Sequence, residues 1–109
     1  MHYNDFSGKT FNPLDPNDIK KIVIANSLPQ VVDPEITQPV TWTIEYKIPI
    51  EMVAKYSQIK KPESGIEWRA NFYKIKEKGS NIHFLTWSVV DNPIPDFHIP
   101  PFFGTIKFE

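Results

Sequence analysis

The sequence predicts an all-β domain, an antiparallel β-sandwich-like fold with one short helix. Short runs rich in Trp, Phe, Tyr, Ile and Val occupy residues 40–48, 68–75, 82–90 and 103–108. Gly, Asn and Pro separate these runs, and aromatic or β-branched runs bounded by such residues are typical of strands. The run at 40–48 also alternates strictly between apolar and polar side chains, which indicates a strand with one apolar face.

The first 39 residues contain few signals of regular structure. Residues 1–18 are polar, and the breakers Asn12-Pro13 and Asp15-Pro16 predict an arm or loop there. A first strand is predicted over residues 21–25. The segment 27–39 contains three prolines, and it is predicted to be an irregular connection because proline cannot donate a hydrogen bond to a β-ladder.

The clearest strand of the chain covers residues 40–48. Its apolar positions have a period of two, and they are Val40, Trp42, Ile44, Tyr46 and Ile48. Since alternate side chains of a strand share a face, this face is predicted to belong to the core. Pro49 is predicted to start a short helix that runs to about residue 56, with Glu51 in its first turn. Residues 57–67 are predicted to form a charged loop.

The runs at 68–75 and 82–90 are predicted to pair as a β-hairpin. The break between them contains Lys78-Gly79-Ser80-Asn81, and loops of roughly four to six residues are common in hairpins. A proline-rich connection at 91–101 leads to the last strand at 103–108, where Gly104 is predicted to permit close packing or a bulge. The residues predicted to complete the core are Phe72 or Tyr73, Ile106 and Phe108.

The hairpin also contains the candidate ligand-binding residues. Alternation places Arg69, Asn71 and Tyr73 on one face of the first strand, and Trp87 lies in the second. Guanidinium and amide groups make directed hydrogen bonds, and aromatic rings provide a stacking surface, so this mixture suits a sugar. The alternative is that Arg69 and Asn71 only face water while Tyr73 and Trp87 complete a core.

Composition and motif spacing argue against several functional classes. The net charge is −1 and the Lys and Arg residues are scattered, so neither nucleic acid nor an anionic membrane is a predicted partner. The chain has no cysteine, and its histidines, His2, His83 and His98, lack metal-ligand spacing. It has neither a glycine-rich phosphate loop nor a Gly-x-Ser-x-Gly motif. The chain is therefore predicted not to be an enzyme.

No cofactor is predicted. Asp91, Asn92 and Asp96 offer the oxygen ligands that calcium prefers, but such residues in a proline-rich loop are more often turn formers. His98 is predicted to hydrogen-bond to loop backbone rather than to contact a ligand. The sequence shows no pattern typical of a signal peptide and no stretch near the roughly 18 apolar residues of a membrane span. These patterns leave the cellular location open.

Three motifs in the second half of the chain resemble those of a known family. They are W-R-A-N-F-Y at 68–73, T-W-S at 86–88 and D-F-H-I-P-P-F-F-G-T-I-K-F at 96–108. With the Ile-Pro-Ile segment at 48–50, they resemble the C-terminal part of family 9 carbohydrate-binding-module-like domains. The resemblance covers residues 40–109 and implies a DOMON-like β-sandwich with non-catalytic carbohydrate binding, associated with polysaccharide degradation. Relatives are commonly extracellular or periplasmic, and some carry structural calcium.

The resemblance also has a consequence for assembly. Domains of this family are usually nearly twice as long, so residues 1–109 are predicted to be a single domain that corresponds to the C-terminal half. Strands covered in longer relatives would then have open edges or exposed apolar faces, which recruit partners. A homo-oligomer, in its simplest form a two-fold dimer, is therefore expected. The alternatives are a monomer covered by residues 1–39, and a structural or interaction half-domain without a complete sugar site.

Overall fold

The computed structural model describes residues 3–4, 10–94 and 96–109. This part of the chain contains eight strands, two α-helices and one 3-10 turn, all of them short. The strands pair antiparallel in two-stranded sheets. The protein is therefore predominantly β, in agreement with the predicted class. No helix among the described residues is long and apolar enough to cross a bilayer.

The first of two compact units comprises residues 1–31 and 41–59. Its elements are β1 (Tyr3–Asn4), β2 (Thr10–Phe11), α1 (Pro16–Ile19), β3 (Val23–Asn26), β4 (Ile44–Lys47) and α2 (Ile50–Tyr56). Helix α1 lies partly within the predicted arm or loop. Asp15 caps this helix by accepting a hydrogen bond from the Asn17 N–H at 2.8 Å, and Pro16 occupies its first turn. The arm prediction at residues 1–2 and 5–9 lies outside the described residues.

Helix α2 confirms the helix predicted after Pro49. Pro49 is the N-cap residue, Glu51 lies in the first turn and Lys55 in the last. Both charges interact favourably with the helix dipole at these positions. Met52 on this helix is 7% exposed, and it is the only buried apolar side chain in the described part of the chain.

Strand β4 is shorter than the predicted strand at 40–48. It pairs with β3, with Ile24 opposite Tyr46. The Ser27 N–H extends this pairing by donating to Thr43 O at 3.1 Å. The preceding residue Asn26 turns the chain, because its side chain accepts a hydrogen bond from the Leu28 N–H at 3.0 Å. Strand β3 therefore ends there, and residues 40–42 extend past its pairing partner.

The predicted burial of the alternating face is wrong. Val40, Ile44, Tyr46 and Ile48 are exposed over 43–53% of their surface, and Trp42 is half-buried. A period of two determines which side chains share a face, whereas burial also requires a second layer packed on that face. The β3–β4 sheet has two strands in the described part of the chain, and a sheet of this size cannot enclose its own apolar face.

The second compact unit comprises residues 32–40 and 60–109. Its elements are β5 (Glu67–Ala70), β6 (Tyr73–Lys76), β7 (His83–Thr86), a 3-10 turn (Pro100–Phe102) and β8 (Gly104–Lys107). Strand β6 pairs with β7, with Tyr73 opposite Thr86, which confirms the predicted hairpin. Strand β5 pairs with β8, with Trp68 opposite Ile106. The run predicted as one strand at 68–75 is thus divided between two sheets.

Trp68 packs against the last strand of the second unit. Its ring meets the Phe108 ring edge-to-face, with centroids 4.8 Å apart, and its Nε1 donates to Lys60 O at 2.9 Å. Ile106 and Phe108 are half-buried, so they contribute to this packing without being enclosed. Of the two residues offered as alternatives for the core, Phe72 is 52% exposed and Tyr73 is half-buried, so the choice of Phe72 is wrong and Tyr73 is the more buried of the two.

Candidate functional site

Trp87 provides the most prominent aromatic surface of the second unit. Its backbone N–H donates to Phe72 O at 2.9 Å, and its indole meets the Phe72 ring edge-to-face, with centroids 5.6 Å apart. The indole also covers Gly104, where an added Cβ would lie 2.5 Å from Trp87 Cζ3. Trp87 is 54% exposed. The ring is therefore supported by packing and still presents a surface to solvent.

Arg69 lies in β5, and its side chain extends to the N-terminal end of β8, the end at which Trp87 packs on Gly104. Its Nη2 atom donates to the carbonyl of Phe103 and, at 3.4 Å, to that of Pro101. Arg69 is exposed, and these two bonds do not use the N–H groups on its Nη1 and Nε atoms. Because Phe103 precedes Gly104, the guanidinium and the Trp87 indole meet the backbone at adjacent residues.

Asn71 lies between β5 and β6, and its side chain takes the place of a backbone pairing. Its Oδ1 accepts from the Ser88 N–H at 2.8 Å and its Nδ2 donates to Ser88 O at 3.0 Å. Ser88 Oγ then donates to Phe102 O at 2.8 Å. Because the side chain makes these bonds, the backbone of Asn71 can leave the β6–β7 ladder, and the predicted strand divides at this point.

Tyr73 holds the proline-rich connection against β6. Its hydroxyl donates to Phe97 O at 2.8 Å, and its ring stacks on the Phe97 ring with centroids 4.2 Å apart. Phe84 contributes a tilted contact to the same Phe97 ring, with centroids 6.3 Å apart. Tyr73 is half-buried, so its hydroxyl and one ring face are used within the protein.

The four predicted site residues converge on residues 97–104, the anchor segment. Trp87 and Arg69 meet this segment directly at its C-terminal end. Asn71 bonds to the backbone of Ser88, whose hydroxyl donates to the segment at Phe102 O. The Tyr73 hydroxyl donates to the carbonyl of Phe97, the first residue of the segment. Trp87 and Arg69 are exposed, whereas Asn71 and Tyr73 are half-buried. Trp87 and Arg69 therefore both contact the anchor segment, which the other two side chains hold in place.

Two members of this arrangement, Phe72 and Ser88, are absent from the predicted site. Alternation places Phe72 on the core face, yet its side chain is exposed to solvent and contacts the Trp87 ring. Ser88 connects Asn71 with the 3-10 turn. The available signal is Asn71 itself, because Asn is depleted in strands and its presence indicates a break in the alternation.

A second polar cluster, in the first unit, surrounds Asp18, which is 4% exposed. Lys21 Nζ donates to its Oδ1 at 2.8 Å, and Lys55 Nζ at 2.6 Å and the Tyr56 hydroxyl at 2.7 Å donate to its Oδ2. These bonds, that from Lys21 foremost, hold the pKa of the Asp18 carboxyl well below its usual range, and Asp18 raises the pKa of Lys55. The cluster fixes α1 to α2, and its ionised carboxylate is poorly suited to proton transfer.

Glu35 attaches residues 32–40 to the β6–β7 hairpin. Its Oε1 accepts from Lys76 Nζ and from the N–H and Oγ of Ser80, both at 3.0 Å. The bonds from Lys76 and then Ser80 lower the pKa of the Glu35 carboxyl to about 2. Gly79, in the hairpin turn, has a φ of +97°, and a Cβ there would lie 2.6 Å from Glu35 Oε1. This attachment therefore depends on a glycine in the turn.

The residues considered for calcium do not fit a metal site. In the described part of the chain, no group of three or more His, Asp or Glu side chains is arranged to hold a metal ion. Asn92 Nδ2 donates to Ile94 O, and Asp96 Oδ1 accepts from the His98 N–H at 2.8 Å. These are local bonds of the kind that shape turns. His98 is exposed.

Comparison with known proteins identifies the family. The family model of carbohydrate-binding family 9 matches residues 9–108. The match includes the motifs at 68–108 and also the segment before residue 40. No curated protein and no solved structure matches the chain. Since the family model covers nearly the whole sequence, the chain belongs to carbohydrate-binding family 9.

Proposed function

We propose that the protein binds carbohydrate without converting it chemically, and that Trp87 and Arg69 make the main contacts. The observation that carries this proposal is the exposed indole of Trp87, which packs on Gly104 and Phe72. Arg69 bonds to the same anchor segment. A pyranose ring has an apolar C–H face and a rim of hydroxyls. The indole suits the first, and the guanidinium N–H groups suit the second. Membership of the family supports carbohydrate as the ligand class.

Asn71 and Tyr73 have a positioning role in this proposal. Asn71 holds Ser88, the residue that follows Trp87, and Tyr73 holds Phe97 in the anchor segment. Their bonds limit how far the two exposed side chains move relative to one another. A ligand contact by either residue would use the surface that these internal bonds leave exposed.

The proposed biological role is attachment to polysaccharide during its degradation. The resemblance to modules that accompany polysaccharide-degrading enzymes supports this role. Such a protein raises the local concentration of a polymer-degrading activity by binding the polymer, and it needs no catalytic carboxylates. The buried carboxylate of Asp18, held ionised by Lys21 and Lys55, is consistent with a structural use of acidic residues.

A glycan array followed by calorimetric titration of the best-bound oligosaccharide tests the proposal. The Trp87→Ala variant is expected to lose binding while its far-ultraviolet circular dichroism remains that of the wild type. Arg69→Gln is expected to weaken binding by about tenfold, equivalent to ~1.4 kcal/mol. Leu85→Ala is the matched control, because Leu85 is also 54% exposed and lies in β7, two residues before Trp87.

Several results would contradict the proposal. Absence of any bound glycan would exclude carbohydrate binding by this chain. Unchanged affinity in the Trp87→Ala variant would place the site elsewhere. Turnover of chromogenic glycosides by the purified protein would show that it is catalytic.

A second candidate function is a structural or interaction role through homo-oligomerisation. Its support is the large number of exposed apolar side chains, which include Val23, Ile24, Ile44 and Tyr46 on the β3–β4 sheet. Exposed apolar surface next to unpaired strand edges favours association. The mass of the protein in solution tests this candidate, and the test does not depend on whether a sugar binds.

A further inference from the structure

The outer edge of β4 presents unpaired backbone groups. Within the described residues, β4 pairs with β3 alone. The bond from the Ser27 N–H to Thr43 O identifies Ser27 and Thr43 as a hydrogen-bonded pair of this antiparallel ladder. Since backbone groups alternate in direction along a strand, Glu45 and Lys47 direct theirs toward β3. Ile44 and Tyr46 therefore direct their N–H and C=O groups outward, where another strand can pair with them.

The charges on β4 are complementary to those of a second β4 in one antiparallel register. Glu45 and Lys47 flank Tyr46, so a two-fold axis through Tyr46 places Glu45 of one copy opposite Lys47 of the second copy. The same pairing occurs again on the other side of the axis. Because Tyr46 directs its backbone groups outward, the two tyrosines form the hydrogen-bonded pair. The charged residues then form the non-hydrogen-bonded pairs, in which cross-strand side chains are closest.

Neighbouring registers lack this complementarity. A two-fold axis through Glu45 would place the two Glu45 carboxylates opposite each other, and an axis through Lys47 would do the same for two ammonium groups. Like charges directly opposite each other are destabilising. The outer edge of β3 has the sequence Val-Ile-Ala-Asn and offers no charges that would select a register. The charge pattern therefore favours β4 and the axis at Tyr46.

The apolar side chains of β4 support the same register. Ile44, Tyr46 and Ile48 are 43%, 51% and 44% exposed, and alternation places them on one face. In the register centred on Tyr46, Ile44 lies opposite Ile48 of the second copy, and the two tyrosines lie side by side. Pairing thus joins two exposed apolar stripes into one continuous stripe, which removes apolar surface from water.

We propose that β4 is a homodimer interface, in which two copies pair antiparallel about a two-fold axis at Tyr46. The occupant of the edge is a second copy of this chain, selected by the Glu45–Lys47 pairs. The inference rests on the oligomeric candidate function proposed above and is independent of sugar binding. For the oligomeric candidate function, the inference names the surface and the strand register through which the two copies associate.

Charge reversal tests the register directly. Light scattering coupled to size exclusion at micromolar concentration is expected to give about twice 12.7 kDa for the wild type. Glu45→Lys and Lys47→Glu each place like charges opposite each other, and each is expected to weaken the dimer at least tenfold. The double variant Glu45→Lys/Lys47→Glu restores opposite charges and is expected to restore the dimer. Matched controls are Glu77→Lys and Lys78→Glu, which reverse exposed charges in the hairpin loop.

Three outcomes would contradict the proposed interface. A wild-type monomer at all concentrations would overturn both the interface and the oligomeric candidate function. A dimer that persists in both single variants would overturn the β4 interface alone and leave oligomerisation through another surface. A double variant that is folded by circular dichroism but monomeric would show that charge pairing does not select this register. Sugar binding by the monomer or the dimer has no bearing on these results.

Discussion

The indole of Trp87 lies on the backbone of Gly104, so close that a Cβ there would be 2.5 Å from Cζ3 and 2.9 Å from Cη2. Gly104 is not among the glycines with a positive φ, so its backbone conformation is open to any residue. The glycine is therefore required by the neighbouring ring. In the β5–β8 ladder it lies opposite Ala70, a second small residue.

Gly104→Ala should weaken sugar binding while the fold is retained. The added methyl group displaces the indole, and an exposed ring can rotate away, so the cost in unfolding free energy should be below the about 1–3 kcal/mol of overpacking in a closed core. Affinity should fall by roughly tenfold or more, equivalent to ~1.4 kcal/mol. Calorimetric titration and urea unfolding measure the two effects. Thr105→Ala, at the exposed neighbouring position, should change neither, and an unaltered affinity in Gly104→Ala would contradict the role of ring placement.

Asn71→Ala should destabilise the protein by about 1–3 kcal/mol, because it leaves the N–H and C=O of Ser88 without the partners that they have at 2.8 and 3.0 Å. Urea unfolding should show this as a lower midpoint. Asn81→Ala is the control, since Asn81 is exposed in the hairpin loop and its substitution should cost within about 0.5 kcal/mol. Equal stability of the two variants would show that the Asn71–Ser88 bonds contribute little.

The sequence predicts well those features that depend on local chemistry. Three features follow from turn residues and strand-forming runs: the hairpin between β6 and β7, helix α2 after Pro49, and strand β8, which begins at Gly104. Each requires only a few consecutive residues, so the pattern is contained within a short window. The family could be predicted for the same reason, because its motifs combine several such windows over residues 68–108.

Burial and strand partners could not be predicted in the same way. The alternation at 40–48 predicts one shared face, but exposure of Tyr46 over 51% of its surface depends on which elements cover that face. The division at Asn71 depends on Ser88, which lies 17 residues further along the chain. For the candidate site, the sequence identifies Arg69, Asn71, Tyr73 and Trp87 as notable. It cannot show that two of them face inward, because that depends on the path of the anchor segment.

Gly79→Ala should destabilise the protein more than Gly65→Ala. Both glycines have positive φ values, +97° and +85°, so alanine should cost roughly 1–2 kcal/mol of backbone strain at either position. Only at Gly79 would the Cβ also lie 2.6 Å from Glu35 Oε1, whereas at Gly65 no atom lies within 4 Å. The difference between the two unfolding free energies therefore isolates the Glu35 contact. Equal losses would indicate that the Glu35 side chain moves without cost.

Asp18→Asn should remove a pH-dependent part of the stability. The pKa of the Asp18 carboxyl is held below its usual range in the folded protein, and an unfolded Asp has a pKa of about 3.9. The depressed pKa means that the stabilisation is fully present above about pH 5 and is lost as the pH falls toward the folded-state pKa. Melting temperatures of the wild type and the variant should therefore differ at pH 7 and converge as the pH falls below about 4.

The comparison must separate Asp18 from the other carboxylates, above all Glu35, whose pKa is lowered to about 2. Glu35 is present in both proteins, so its contribution cancels when the two melting temperatures are subtracted at each pH. Glu63→Gln is the matched control, because Glu63 forms only an exposed ion pair with Lys61 at 3.8 Å and such pairs contribute little. Its difference from the wild type should be small at every pH. A difference for Asp18→Asn that stays constant from pH 7 to pH 3 would show that Asp18 stabilises the α1–α2 contact by packing and hydrogen-bond geometry rather than by its charge.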